Sequence, residues 1–263
     1  MKPAAQKGAV LQQDIASTTV PHGQAAVWWL GQSSFCIKLG QTVLYIDPYY
    51  RETDVVQEIP LRPEEMTQAA LICCTHDHAD HFHPDTLPGA AAASPGAVIV
   101  IPQYCQERAN ALGFDVKRLH PMRGDDTFEH AGVTLHAIPS AHQQLEYDDA
   151  FGYRYLGYLI QGNGVVLYHP GDTQPYAGWD ERLRRFALDL AFLPISGGDN
   201  LFYQQAVYFC AIHRPKVAVP IHYGLFSTGE EFLPPFAELL ATSVPAQRMA
   251  ALTVGARFVL SDK

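Results

Sequence analysis

The chain has 263 residues, 48% of them apolar and 11% aromatic, which supplies a sizeable core and excludes a disordered protein. Its formal net charge of −9, with Lys and Arg scattered apart from "RLRR" at Arg182–Arg185, argues against nucleic acid as a partner. No run approaches the ~18 apolar residues of a membrane span, the start has no signal-peptide core, and the five cysteines form no CxxC pattern, so a cytoplasmic protein in a reducing compartment is expected, with a homo-oligomer left open.

Residues 1–24 are polar and are expected to form a flexible N-terminal arm. No Pro/Gly/Ser-rich linker divides the remainder, so 25–263 is expected to be a single domain. "AAVWWLGQSSFCIKL" and "TVLYIDPYY" read as two strands joined at Gly40-Gln41. "RPEEMTQA" is a short helix or turn, "ALICCT" a buried strand, and "HPDTLPGAAAAS" a helix broken by proline. "AVIVIP" is a strand, and "YCQERANALG" a helix ending at Gly113. "DTFEHAGVTLHAIPS" reads as a hairpin, and so does "GYLIQGNGVVLYHPGDT", whose turn signal is Asn163-Gly164. Helices at "DERLRRFA", "YQQAVYFCAIHRP" and "EEFLPPFAELLATS" alternate with strands at "LDLAFLPIS", "VAVPIHYG" and "RFVL". "CIKLGQTVLYIDPYY" resembles "LIQGNGVVLYHPGDTQPY": two hairpins, each ending in an aspartate beside a proline, suggest two related halves packed face to face.

Chemistry concentrates in "ICCTHDHADHFH", Ile72–His83. A loop leaving a buried strand can aim His76, His78, Asp80 and His81 into one pocket, and imidazole with carboxylate is the usual ligand set for zinc and similar ions. Buried together without a cation, these groups would repel or go unsatisfied. Three further strand ends offer partners: His142 in "PSAHQQ", Asp172 in "HPGDT" and His222 in "PIHYG". Alone, each would more often cap or hydrogen-bond its neighbours. Asp77 is expected to point away and support the loop, and His83 to begin a helix. His169 and Tyr223 flank candidate ligands and are expected to support the site, Tyr223 through its hydroxyl.

HxHxDH followed by His, by Asp in "GDT" and by a strand-end His resembles the metallo-β-lactamase superfamily over about Val27–Tyr223, with Asp47 in the place of that family's first aspartate. "WWLGQSSF", "YHPGDT" and "PIHYGLF" resemble more narrowly the ascorbate-phosphate lactonases, with N-acyl-phosphatidylethanolamine phospholipases as more distant kin. The resemblance implies an α/β (α+β) fold, a four-layer αββα sandwich with a dinuclear site at one edge. It assigns His76, His78 and His142 to one ion and Asp80, His81 and His222 to the other. Asp172 bridges them and Asp47 fixes a ligand imidazole from behind. Two divalent ions are implied, zinc first, with manganese or iron as alternatives. Two such ions bring about +4, against about −3 from Asp80, Asp172 and a hydroxide, so the centre favours a small, anionic substrate or a reaction that develops an oxyanion. A hydrolase opening a lactone or a related ester is expected, with Asp80, Asp172 and His222 as catalytic candidates. The alternatives are a phosphodiesterase on the same site, an iron oxygenase, and a non-catalytic metal-binding module. Lactonase relatives often carry an arginine where Gly198 stands, which weakens phosphate recognition. A lipid substrate would want an exposed apolar groove, for which Trp28, Trp29 and Trp179 are candidates.

Overall fold

The computed structural model describes residues 1–261. Two seven-stranded mixed sheets lie face to face. The first contains β1 (Ala25–Gly31), β2 (Ser34–Leu39), β3 (Thr42–Ile46), β4 (Ala69–Cys73), β5 (Val98–Pro102), β6 (Leu119–Met122) and β16 (Arg257–Leu260), in the order β16-β1-β2-β3-β4-β5-β6. The second contains β7 (Thr127–His130), β8 (Val133–Pro139), β11 (Leu156–Gly162), β12 (Val165–His169), β13 (Leu190–Pro194), β14 (Val217–Ile221) and β15 (Arg248–Met249), in the order β15-β14-β13-β12-β11-β8-β7. A two-stranded ribbon, β9 (Tyr147–Asp148) and β10 (Gly152–Tyr153), lies between β8 and β11 in sequence.

Strand alternation builds the layers. In β1, Ala25, Val27 and Trp29 join the core shared with the second sheet, whereas Ala26, Trp28 and Leu30 join the outer core. That outer core receives Leu11 and Ile15 from α1 (Gly8–Ser17), Leu87, Ala90 and Ala91 from α2 (Thr86–Ala93), and Ala109 from α3 (Gln106–Ala111). The second sheet is covered by Trp179 and Leu183 of α4 (Trp179–Leu183), Phe209 and Cys210 of α5 (Tyr203–His213), and Phe236 and Leu240 of α6 (Leu233–Ser243). The expected four-layer αββα sandwich is the observed fold. Both faces of its central strands are buried, so these strands are apolar throughout rather than alternating.

The two resembling hairpins occupy equivalent places. β2 and β3 pair antiparallel, and β3, β4, β5 and β6 then run parallel. β11 and β12 pair antiparallel, and β12, β13, β14 and β15 then run parallel. The carboxyl ends of β3 and β4 and those of β12, β13 and β14 carry the candidate ligands or their supports. This is the edge at which open parallel sheets place their ligands.

Three expectations change. Residues 1–24 do not form a flexible arm: α1 lies within them and is anchored. Leu11 and Ile15 are buried, Trp28 Nε1 donates to Asp14 at 2.8 Å, and the Lys38 ammonium donates to the carbonyls of Ile15 and Ala16 at the helix end. Next, "AAVWWLGQSSFCIKL" is two antiparallel strands rather than one. The chain reverses at Gly31–Ser33, where Gly31 (φ 106°) and Gln32 (φ 52°) are left-handed. Finally, Pro88 does not break α2, because it falls in the first turn, where its missing N–H has no helical partner to lose. Trp28, Trp29 and Trp179 are all buried and their indole N–H groups are bonded inside the protein, so they form no exposed groove.

Candidate metal centre

The loop after β4 delivers His76, His78, Asp80 and His81 together. His142 arrives after β8, Asp172 after β12 and His222 after β14. They form two clusters: His76, His78, His142 and Asp172, and beside them Asp80, His81 and His222. Within each, the ligand atoms lie within 4.8 Å of one another, a spread suited to an ion about 2.0–2.2 Å from each ligand. Asp172 faces both clusters. Its Oδ2 lies 3.9 Å from His76 Nε2, 3.6 Å from His142 Nε2 and 3.3 Å from His222 Nε2, and its Oδ1 lies 3.3 Å from His81 Nε2.

The turn carrying Asp172 is built for close approach. Gly171 is left-handed (φ 64°), and a Cβ there would fall 2.8 Å from Thr75 Cβ. On β11, a Cβ at Gly157 would fall 2.6 Å from the Pro170 carbonyl oxygen. His169 holds this turn: Nε2–H donates to the Ser33 carbonyl at 2.9 Å, and Nδ1 accepts from Gly171 N–H at 3.2 Å. Burial pushes its imidazole pKa down, which suits this neutral role. Asp47 and His222 also have positive φ, 46° and 62°. Left-handed backbone at non-glycine residues costs free energy and clusters at functional sites.

Hydrogen bonds fix which imidazole nitrogens face the centre. Buried Asp47 accepts from Thr75 N–H (2.7 Å), from Thr75 Oγ1–H (2.8 Å) and from His81 Nδ1–H (2.7 Å). Thr75 has one hydroxyl proton and gives it to Asp47, so at 3.0 Å its oxygen accepts from His76 Nδ1–H. His222 Nδ1 lies 2.9 Å from Ser196 Oγ. In this arrangement the Nε2 lone pairs of His76, His81 and His222 point inward, as ligation requires.

The centre is electrostatically incomplete. His76 Nε2, His81 Nε2 and Asp172 Oδ1 are buried without a hydrogen-bond partner, because the approach of His81 to Asp172 is close but misaligned. Such groups cost about 1–3 kcal/mol each if left unpaired. Burial, then the neighbouring His81, hold His76 well below its ordinary pKa; burial, then His142, lower that of His78. Burial opposes protonation of His81 and His222 too, but there the carboxylates, Asp172 foremost, outweigh it and raise both. Burial would raise the Asp172 pKa, yet His222 and His81 hold it well below the carboxylate range. Carboxylates demanding positive charge, among imidazoles too desolvated to supply it evenly, fit divalent cations. Nitrogen and oxygen donors without thiolate suit zinc, manganese or iron. The five cysteines are buried and unpaired elsewhere.

Asp77 turns away and pairs with Arg154 at 3.1 Å, and its carbonyl accepts from Arg108. His83 bonds Thr86 at the start of α2 (2.8 Å). Tyr223 does not face the cluster as expected. Its ring packs on Trp29 at 5.2 Å and lines a separate cavity with Lys2 and Glu230. His222 is left-handed (φ 62°) just past the end of β14, and with its ring turned inward the next residue, Tyr223, packs to the other side. Sequence reasoning missed Gln32, Thr75 and Tyr155, and read the strand end Ser196–Asn200 only as a border of the pocket. Tyr155 stacks on His142 (5.0 Å, 18°) and approaches His76 and His78 at 5.4 and 5.9 Å. The Gln32 amide nitrogen lies 3.1 Å from His222 Nε2 and 3.3 Å from Asp80 Oδ2.

Two face-to-face mixed sheets with a His/Asp cluster at their carboxyl edge define a metallo-β-lactamase fold, and residues 26–222 match the beta-lactamase superfamily domain. A UPF0173 metal-dependent hydrolase of Nitratidesulfovibrio vulgaris is 28% identical over 245 residues, covering 90% of this chain and 96% of its own. Another from Thermus thermophilus is 31% identical over 201 residues, covering 76% of this chain and 84% of its own. The chain belongs to the UPF0173 metal-dependent hydrolase family of this superfamily. In fold it resembles Igni18, a metallo hydrolase of Ignicoccus hospitalis, with a TM-score of 0.71 over 91% of this chain and 100% of that one, at 21% identity. No helix among the described residues is long and apolar enough to cross a membrane.

Proposed function

We propose that this protein is a dinuclear metal-dependent hydrolase that opens a lactone or cleaves a related small ester. The observation that carries the reading is Asp172, whose carboxylate lies against ligand atoms of both clusters: Oδ2 beside His142 and His222 Nε2, and Oδ1 beside His81 Nε2. His76, His78 and His142 would hold one ion, Asp80, His81 and His222 the other, and Asp172 both. When bound, such ions supply a water acidic enough to lose its proton near neutral pH and a Lewis acid for the oxygen under attack. The protein's own residues do the rest. Asp47, Thr75 and Ser196 orient the ligand rings. Asp80, about a quarter exposed at the rim, holds a carboxylate oxygen 3.6 and 3.7 Å from His81 and His222 Nε2. It is placed to pass a proton to the leaving group. In the reaction water's oxygen bonds to the acyl carbon, the ester C–O bond breaks, and the departing alkoxide takes up a proton.

A phosphodiester is the weaker fit. The Arg154 guanidinium beside the first cluster is held by Asp77 and Glu146 (3.1 and 3.2 Å), and Gly198 brings no cationic side chain. The test is a screen of lactones, carboxylic esters and phosphodiesters with protein loaded with zinc, manganese or iron. Lactone or ester turnover exceeding phosphodiester turnover at least tenfold is expected. Turnover of phosphodiesters alone, or of nothing with any metal, contradicts the reading.

A further inference from the structure

Beside His222 lies a cavity of about 240 Å³, lined by Gln32, Ser196, Phe226, Thr228 and Phe232. None of the residues lining it is Lys, Arg, Asp or Glu. Gln32 and Ser196 lie at its metal-centre end, where both contact His222, and the rings of Phe226 and Phe232, both half-buried, supply its aromatic surface. An apolar cavity of about 150 Å³ already takes benzene, so this one has room for a ring with its acyl carbon.

Gln32 sits at its inner end under unusual constraint. It is 4% exposed, it holds φ 52° in the tight turn between β1 and β2, and its carbonyl is clamped by Trp29 Nε1–H (3.0 Å) and by the backbone N–H of His222 (3.2 Å). The backbone is therefore held in place, and the hydrogen-bond contacts of the amide nitrogen, His222 Nε2 and Asp80 Oδ2, are candidate ligand atoms. A lone pair committed to a cation accepts no proton. With the site loaded, the Gln32 N–H would be released from His222 and left free at the metal-centre end of the cavity.

Resting on the hydrolase reading above, we propose that Gln32 donates a hydrogen bond to the acyl oxygen of the substrate and that the adjoining cavity seats an uncharged, apolar acyl group against Phe226 and Phe232. The donor stabilises the oxyanion that develops as the acyl carbon becomes tetrahedral, and it does so without reorganising. The rings determine which acyl group is accepted. The negative charge that the cationic centre favours is then the charge developing at the reacting ester, while the group in the cavity carries none.

The experiment pairs kinetics with binding, using metal-loaded protein of verified metal content. 4-Nitrophenyl acetate and 4-nitrophenyl phenylacetate are compared as substrates, and phenylacetate is titrated calorimetrically as the product. Wild type is expected to prefer the phenylacetyl ester at least tenfold in kcat/KM. Phe226→Ala and Phe232→Ala should each lower that preference about tenfold and weaken phenylacetate to a similar degree. Gln32→Ala should lower kcat for both esters by about 10²-fold with metal content and ester preference retained, and Gln32→Asn, one methylene short, should rescue little. An unchanged preference and phenylacetate affinity in both phenylalanine variants would overturn the acyl pocket. A kcat within threefold of wild type in Gln32→Ala would overturn the donor. If no ester is turned over at all, the hydrolase reading falls and the donor with it. The calorimetric titration still decides the pocket, whose loss would appear as equal phenylacetate affinity in wild type and both phenylalanine variants.

Discussion

The two ligand clusters are similar in composition but are held in place by different physics. In the second, every side chain is gripped by a polar partner: His81 by Asp47, His222 by Ser196 and Asp80 by Gln32. In the first, only His76 has such a partner close by, Thr75, while His78 and His142 are packed as rings around Tyr155 and each other, at 4.5 Å between their own centroids. The nearest carboxylate to His142 Nδ1 is that of Asp199, at 3.9 Å. Directional bonds fix ring rotation and tautomer together, whereas stacking fixes the ring plane and leaves the tautomer to the ion. The second cluster is thus preorganised before an ion arrives, and the first is completed by it.

The broadest way to break this difference is to strike the joint shared by both clusters. Gly171→Ala places a Cβ against Thr75 in a left-handed backbone, at a cost of about 2–4 kcal/mol. Thermal unfolding should fall by roughly 5–10 °C, and calorimetric zinc titration should show both ions weakened. Asp47→Asn acts directly on the second cluster, through His81, and reaches the first only through the Thr75 hydroxyl that accepts from His76. Its amide can donate to His81 Nδ1 and so move the ring proton onto Nε2, the atom facing the centre. Competition titration with a chelator should show the second ion weakened about 100-fold and the first little changed. Tyr155→Ala removes the stacking platform and should weaken the first ion about tenfold while sparing the second. Equal loss at both sites would mean that the clusters are not separately held. Ser196→Ala, which removes one neutral hydrogen bond, should cost the second ion less than about tenfold.

The candidate ligands were legible as a set: the HxHxDH spacing brings four of them onto one loop, and His142, Asp172 and His222, each of which alone would more often cap or hydrogen-bond its neighbours, follow at strand ends. The groups that orient them were not. Thr75, Ser196 and Tyr155 are common residue types whose meaning is purely positional. Gln32 was hidden because "AAVWWL" and "FCIKL" read through as one continuous strand, although Gly31 and the polar "QSS" between them mark the reversal that puts Gln32 at a turn. The helix at Gly8–Ser17 escaped for the opposite reason. It buries only Leu11 and Ile15, one turn apart, so its apolar stripe is too narrow to stand out from a polar arm. Tyr223 drew attention as a ligand's neighbour, yet the left-handed His222 ends the strand's alternation and the Tyr223 ring packs on Trp29 beside a separate cavity.

The account stands most directly on the number of ions held at once. Apoprotein saturated with zinc, freed of excess by gel filtration and subjected to elemental analysis should retain two ions per chain, and Asp172→Asn, which weakens the shared ligand, should retain fewer. A wild-type protein that saturates at a single ion would contradict the two-cluster reading of the centre.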